Sequence, residues 1–143
     1  MKTIEQIIKQ KPVYLNDWED KFSLIADFDC IYIKQSPYPN EENWLKLKEE
    51  KIKKALLKWS DINILFASYN TASYEGEAWV LLEKEGKLFE VNGEHCSCYG
   101  LEGQWEPEQV SLEELKHRLE KGNLGKKGSL NYFAKELKQF LGL

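Results

Sequence analysis

One segment of the chain, residues 93–108, concentrates the side chains that could do chemistry. It holds Cys96 and Cys98, two of the three cysteines in the sequence, and His95 directly precedes them. Three glycines in the same segment indicate irregular backbone, and irregular backbone is where binding and catalytic residues concentrate. We therefore treat the Gly93–Glu108 loop as the candidate site and ask which chemistry its residues support.

A nucleophilic thiol is the first chemistry to weigh. Cys96 or Cys98 could attack a substrate if His95 or His117 removed the thiol proton. Glu94 or Glu102 could then orient the imidazole. The surroundings oppose this activity, because residues 75–114 carry 11 acidic side chains against two lysines, and negative charge disfavours the thiolate. The segment also has no cysteine-protease signature. A cysteine-dependent enzyme is therefore the second hypothesis, and we lean towards a protein without enzymatic activity.

Zinc binding is a further alternative, because Cys96, Cys98 and His95 are ligands that zinc prefers. A structural zinc site usually needs four ligands, commonly arranged as two well-spaced pairs. The second pair is missing here, since the remaining Cys30 and His117 fall on other predicted elements. We expect no cofactor, and a small zinc-stabilised domain is the third hypothesis.

Recognition of another molecule is the chemistry that this region favours. Aromatic rings stand next to glycines, whose backbone N–H groups can reach a ligand. In a simpler interpretation, which stays open, Trp105 and Tyr99 only pin the loop onto the sheet. The glutamates lack calcium-type spacing, so we interpret them as residues that keep the loop soluble. The expected binding residues are Tyr74, Glu75, Glu94, His95, Tyr99, Glu102 and Trp105.

Three strands must position this segment. Residues 62–69, 77–83 and 88–92 predict an antiparallel meander over 62–92, with a hairpin turn in which Gly86 supplies a positive φ. The middle strand is apolar on both faces, so we expect it to be central. In a meander, the connection at 70–76 and the Gly93–Glu108 loop lie at the same end of the sheet. This topology predicts that Ser68, Tyr69, Tyr74 and Glu75 lie near Glu94, His95 and Cys96.

Helices account for most of the remaining chain. Thr3 and Gln6 predict a capping box for a first helix that Pro12 ends, and a second capping box is predicted at Ser111 and Glu114. Residues 16–29 fit a helix or a strand, and we favour a short helix followed by a strand at 30–33. Amphipathic patterns predict helices at 41–59, capped by Asn40, at 111–121, ending at Gly122, and at 129–141.

The predicted fold is a single α+β domain spanning residues 1–143. Its sheet has three to four strands and is mostly antiparallel, and three to four helices pack on one face of it. The length suits one domain with a real core. Without a membrane-spanning run or a signal-peptide core, we expect a soluble cytoplasmic protein with cysteine thiols. The acidic block at 75–114 disfavours nucleic acid as a partner, and the oligomeric state stays open.

Three runs lie within residues 64–119: Tyr74–Leu81, Gly86–Gly93 and His95–Glu108, the last rich in Cys, His and Trp. Together they resemble a family of small uncharacterised proteins from phages and bacterial mobile elements. The resemblance implies an accessory protein in a bacterial cytoplasm, and it transfers no catalytic residue. Our leading hypothesis is therefore a non-enzymatic protein that binds a host protein or a small-molecule ligand through the Gly93–Glu108 loop, as an inhibitor of a host system for example.

Overall fold

The computed structural model describes residues 1–29, 41–71, 75–96 and 100–143, with the backbone alone at 41–45, 47, 48 and 127. Within these ranges it contains five α-helices and one five-stranded sheet, which confirms the predicted α+β class. The strands are β1 (Val13–Asn16), β2 (Asn63–Asn70), β3 (Gly76–Lys84), β4 (Lys87–His95) and β5 (Glu108–Gln109). The helices are α1 (Ile4–Ile8), α2 (Lys21–Phe28), α3 (Glu41–Lys58), α4 (Leu112–Lys121) and α5 (Ala134–Leu141), with 3-10 turns at Lys126–Gly128 and Asn131–Phe133.

The predicted meander forms the middle of the sheet. Strands β2, β3 and β4 pair antiparallel in sequence order, and β3 is central. Glu85 and Gly86, with φ values of 54° and 78°, form the two-residue turn between β3 and β4. Positive φ at both positions is the requirement of a type I′ hairpin turn, so the predicted role of Gly86 is confirmed.

The prediction of three to four strands is wrong, because a short strand extends each edge. Strand β1 pairs parallel to β2, and β5 pairs antiparallel to β4 over two residues. Four residues directly after Pro12 are too few to show a strand period, and Glu108–Gln109 contains no apolar residue. Neither edge strand therefore has a pattern that sequence analysis detects.

Helices cover both faces of the sheet, which corrects the expectation that they share one face. Trp79 and Leu81 of β3 pack in one buried cluster with α1, α4 and α5. Val80 and Leu82, which alternate with them, pack in a second cluster with α2 and α3. A central strand that is apolar on both sides needs cover on both sides, so the helices divide into two layers.

Most predicted helix boundaries follow from caps that the structure contains. Thr3 and Gln6 form the predicted capping box of α1, and Ser111 caps α4, which ends at the left-handed Gly122. The short helix favoured for residues 16–29 is confirmed as α2, but Asp20 caps it. The predicted cap Asn40, the strand at 30–33 and Cys30 lie outside the described residues.

Two helical predictions need correction. The last helix, predicted from Ser129, begins as a 3-10 turn at Asn131–Phe133 and becomes α5 only at Ala134. The amphipathic pattern of residues 41–59 predicts that Leu56 and Trp59 share the inward face; Trp59, directly after α3, is buried, as is Ala55, whereas Leu56 is 41% exposed. No helix among the described residues is both long enough and apolar enough to cross a membrane.

Candidate functional site

Strand β4 is longer than predicted and carries the first residues of the candidate site. Residues 93–95, expected to open an irregular loop, are paired with β3: Gly93 with Ala78, Glu94 with Glu77 and His95 with Gly76. The glycine is tolerated in the strand because Leu101 packs over it; an added Cβ would lie 2.9 Å from Leu101 Cδ2. The prediction that the loop begins at Gly93 is therefore wrong, and Glu94 and His95 hold fixed positions on a sheet.

A cleft of about 520 Å³ lies at the end of the sheet where β2 and β4 finish and β3 begins. Four predicted residues, Glu75, Glu94, His95 and Cys96, line it together, as the topology of the meander required. The predicted Tyr74, Cys98 and Tyr99 lie outside the described residues. The complete described lining is Asn70, Glu75, Gly76, Glu77, Glu94, His95, Cys96, Ser129 and Tyr132.

Two carboxylates face each other across the strands that form this cleft. Glu77 of β3 and Glu94 of β4 are direct antiparallel partners. Side chains in such positions have Cβ atoms about 5 Å apart, and like charges there destabilise the sheet. Ser129 Oγ donates to Glu77 Oε2 at 2.8 Å, and the Lys126 ammonium forms an ion pair with Glu94. The C-terminal segment thus supplies a polar contact to each carboxylate.

The His95 imidazole is fixed by packing. Its ring meets the Tyr69 ring edge to face, with centroids 5.3 Å apart, and it lies directly over Gly76. Its Nδ1 atom is buried and has no hydrogen-bond partner among the residues that the structure describes. Because a buried N–H without an acceptor costs more than an unpaired lone pair, the neutral ring should carry its proton on Nε2.

A hydrogen-bond network behind the cleft joins three distant parts of the chain. Ser68 Oγ is fully buried and lies 2.6 Å from Tyr132 Oη, and Asn16 Nδ2 donates to Ser68 Oγ at 2.8 Å. Burial raises the pKa of Tyr132, and the charges of Glu77 and Asp17 raise it further, although the hydrogen bond with Ser68 opposes them. Tyr132 is therefore held as a neutral phenol on the cleft wall.

The second layer of helices brings another carboxylate towards the same end of the sheet. Trp18 Nε1 donates to Asp27 Oδ2 at 2.8 Å. Burial raises the pKa of Asp27; the hydrogen bond from Trp18 lowers it, the charges of Asp17 and Glu102 raise it, and His95 lowers it. Asp27 lies on α2, far from residues 93–108 in sequence, so no local pattern identified it.

Gln104 fixes the segment that follows the cleft. Its side-chain amide accepts from Glu94 N at 2.8 Å and donates to Glu94 O and to Gly100 O, both at 2.7 Å. The two bonds to Glu94 satisfy backbone groups at the edge of β4 that a neighbouring strand would otherwise pair. The predicted Glu102 does not line the cleft; it borders an adjacent groove with Gln104 and Lys126.

Trp105 is half-buried, packs against the core and is not among the described residues that line the cleft. Its ring centroid is 4.9 Å from that of Phe28 and 4.3 Å from that of Trp59, and it packs against the second buried cluster. This placement favours the simpler interpretation of Trp105, in which it pins the segment onto the helical layer.

The described part of the chain offers no metal cluster: it contains no group of three or more His, Cys, Asp or Glu side chains arranged to hold an ion. Cys96 is a half-buried thiol, and the other two cysteines lie outside the described ranges. His117 is exposed on α4. Zinc binding stays a prediction that native mass spectrometry of protein purified without chelator would test.

Comparisons with known proteins add no relative to this picture. No protein-family model matches the sequence, and neither the curated proteins nor the solved structures contain a significant match to it. The resemblance to phage and mobile-element proteins stays a prediction, and the function must be argued from the cleft.

Proposed function

We propose that the protein is a non-enzymatic binding protein whose cleft takes a positively charged group, an amine or a guanidinium. The observation that carries this proposal is the opposed pair Glu77 and Glu94, with Glu75 on the same cleft wall. A sheet gains nothing from two carboxylates in direct cross-strand positions. A cation bound between the two carboxylates offsets their repulsion, so the pair favours the bound state.

The other groups of the cleft suit the same ligand. Asn70 and Ser129 present polar atoms, while the Tyr132 and His95 rings add aromatic surface. Ammonium and guanidinium groups bind well where carboxylates and aromatic faces meet. The surrounding block of residues 75–114, with its 11 acidic side chains, would also attract cations from solution.

The cation could belong to a lysine or arginine of a host protein or to a small polyamine. The first partner agrees with the resemblance to phage proteins, and inhibition of a host system stays part of this proposal. Both partners share the chemistry of the cation, so a small cation is sufficient to test the site. Spermidine is a suitable probe because its amines can reach more than one carboxylate.

Glu77→Gln and Glu94→Gln test the site when spermidine binding is measured by isothermal titration calorimetry. Each variant should weaken binding about threefold to fivefold, and the double variant about tenfold or more. Because the double variant also removes a like-charge repulsion, it should unfold at a temperature close to that of wild type. Glu106→Gln, in the same acidic block but outside the cleft lining, should bind like wild type. Equal binding by all variants, or no binding by wild type, would refute the proposal.

A cysteine-dependent enzyme is the second candidate, and one observation favours it. Cys96 and His95 line the same cleft, so a substrate there would meet both. Iodoacetamide labelling of the Cys30→Ser/Cys98→Ser variant across pH 5–9 tests it. Half-maximal reactivity well below the ordinary thiol pKa of about 8.5 would support an activated nucleophile, and an ordinary titration would exclude one.

A further inference from the structure

A short segment of the C-terminal region touches both opposed carboxylates: Ser129 lines the cleft, and Lys126 borders the adjacent groove that Glu94 also lines. This segment, Gly125–Ser129, is called the strap. Lys126 pairs with Glu94 on β4, and Ser129 donates to Glu77 on β3 at 2.8 Å. The strap therefore bridges the two strands at the register position where the like charges stand opposite each other.

Buried residues hold the base of the strap. Leu124 and Leu130, each 1% exposed, lie on either side of it, and Leu130 N donates to Leu124 O at 2.9 Å. Asn131 closes the base by accepting from Leu124 N at 3.0 Å and donating to Gly122 O at 2.6 Å. Among the described contacts, the strap reaches the carboxylates through the side-chain tips of Lys126 and Ser129, so these tips can leave while the base stays folded.

The ion pair between Lys126 and Glu94 is weak. The Lys126 side chain is 79% exposed and that of Glu94 is 50% exposed, so water screens the ion pair. Exposed ion pairs of this kind change an equilibrium constant by a factor of about 1.4 to 5. A ligand that contacts more than one carboxylate can outcompete a single tethered ammonium.

We infer that Lys126 is a built-in competitor that occupies Glu94 until a cationic ligand displaces it. The inference rests on the proposed function, since it assumes that the cleft binds cations. In the empty protein the strap lowers the repulsion between Glu77 and Glu94. In the bound state the ligand takes over this role, and the Lys126 ammonium returns to solvent.

Calorimetric titration of wild type and Lys126→Gln with spermidine tests this inference. The variant should bind about 1.4 to 5 times more tightly than wild type. Lys138→Gln is the matched control, because it removes the same charge from α5 at a groove formed by Lys135, Lys138, Gln139 and Leu143, away from the cleft. Lys138→Gln should leave the dissociation constant within the error of wild type.

The possible results separate the two proposals. Tighter binding by Lys126→Gln than by wild type and by Lys138→Gln supports the competitor. Equal or weaker binding by Lys126→Gln, with binding by wild type intact, overturns the competitor and leaves the proposed function standing. An equal gain in both lysine variants overturns it as well, because the effect is then general electrostatics. No binding by any of the three proteins overturns the proposed function and the competitor together.

Discussion

His95 lies over Gly76, its direct partner across β3 and β4, so closely that a side chain at position 76 has no room. An added Cβ would come within 3.0 Å of His95 Cε1 and Asn70 O. The carbonyl belongs to the backbone of β2 and cannot turn away. This contact joins three strands at the cleft and explains why a glycine begins β3.

Replacing Gly76 by Ala should lower the free energy of unfolding by about 1 to 3 kcal/mol, because the new methyl group overpacks the site. Urea denaturation measures the loss. Gly100→Ala is a matched control, since the nearest described atom to its Cβ is at the flexible tip of Glu102, at 3.1 Å; we expect a change within about 0.5 kcal/mol there. Equal losses at both positions would contradict the packing described for His95.

Trp105→Ala should destabilise the fold rather than remove a ligand contact. The ring packs against Phe28 and Trp59, so its loss should cost about 2 to 4 kcal/mol. Thermal and urea denaturation measure the cost, and Trp105→Phe should restore part of it by keeping one ring in the cluster. A Trp105→Ala protein with wild-type stability and lost binding would show instead that Trp105 recognises the ligand.

Arg118 on α4 ties the helix to β4 through a buried carboxylate. Glu90 is 5% exposed, and Arg118 Nη1 lies 2.9 and 2.8 Å from its two oxygens. Burial lowers the pKa of Arg118, but Glu90 and Glu114 raise it above its ordinary value, so the guanidinium stays charged. Arg118→Met should cost about 2 to 3 kcal/mol, because Glu90 then lacks its cation.

A double variant separates this charge effect from lost packing. Glu90→Gln combined with Arg118→Met removes the stranded charge and should be more stable than Arg118→Met alone. Chemical denaturation of wild type, Glu90→Gln, Arg118→Met and the double variant gives the coupling energy between the two side chains. Additive losses would show that the two side chains do not act as a pair.

Asp27 should make the stability of the protein depend on pH. Its pKa is raised in the folded protein, chiefly by burial, so the folded state holds this proton more tightly than the unfolded chain does. The protonated form of Asp27 therefore stabilises the fold fully below pH 3.8, the ordinary Asp pKa. This stabilisation is lost as the pH rises through the raised pKa of the folded protein. Above that range Asp27 is ionised, and the full cost of the half-buried carboxylate is present.

Asp27→Asn should remove this dependence. The amide oxygen can still accept from Trp18 Nε1, while the charge is gone. We expect the variant to be more stable than wild type at neutral pH, with the difference closing towards pH 3. Urea denaturation between pH 3 and pH 7 tests this, and a difference that does not change with pH would contradict it.

The sequence was sufficient to predict features whose cause is local. The turn at Gly86 and the cap at Thr3 each depend on a few adjacent residues, and both have the predicted geometry. The meander topology was sufficient to bring Glu75 to Glu94, His95 and Cys96. In each case the physical cause lies within a short stretch or within one hairpin.

The rest of the cleft depends on contacts between distant residues. Tyr132 reaches Ser68 across 64 positions, and Lys126 reaches Glu94 from a turn whose sequence indicates only flexibility. Gly93 by its type predicts irregular backbone, whereas its packing against Leu101 keeps it within β4. The role of Glu77 has no signal in the sequence, because its partner Glu94 is defined only by the register of β3 and β4.

The most direct test of the cation cleft is a ¹H–¹⁵N correlation titration of the protein with spermidine at low salt. If spermidine binds in the cleft, the largest shifts fall on the amides of Gly76, Glu77, Glu94, His95 and Tyr132, and the shifts saturate. Glu77→Gln/Glu94→Gln should lose them. Shifts spread over exposed acidic residues outside the cleft, such as Glu106 and Glu113, or no saturable shift at all, would contradict a cation site between β3 and β4.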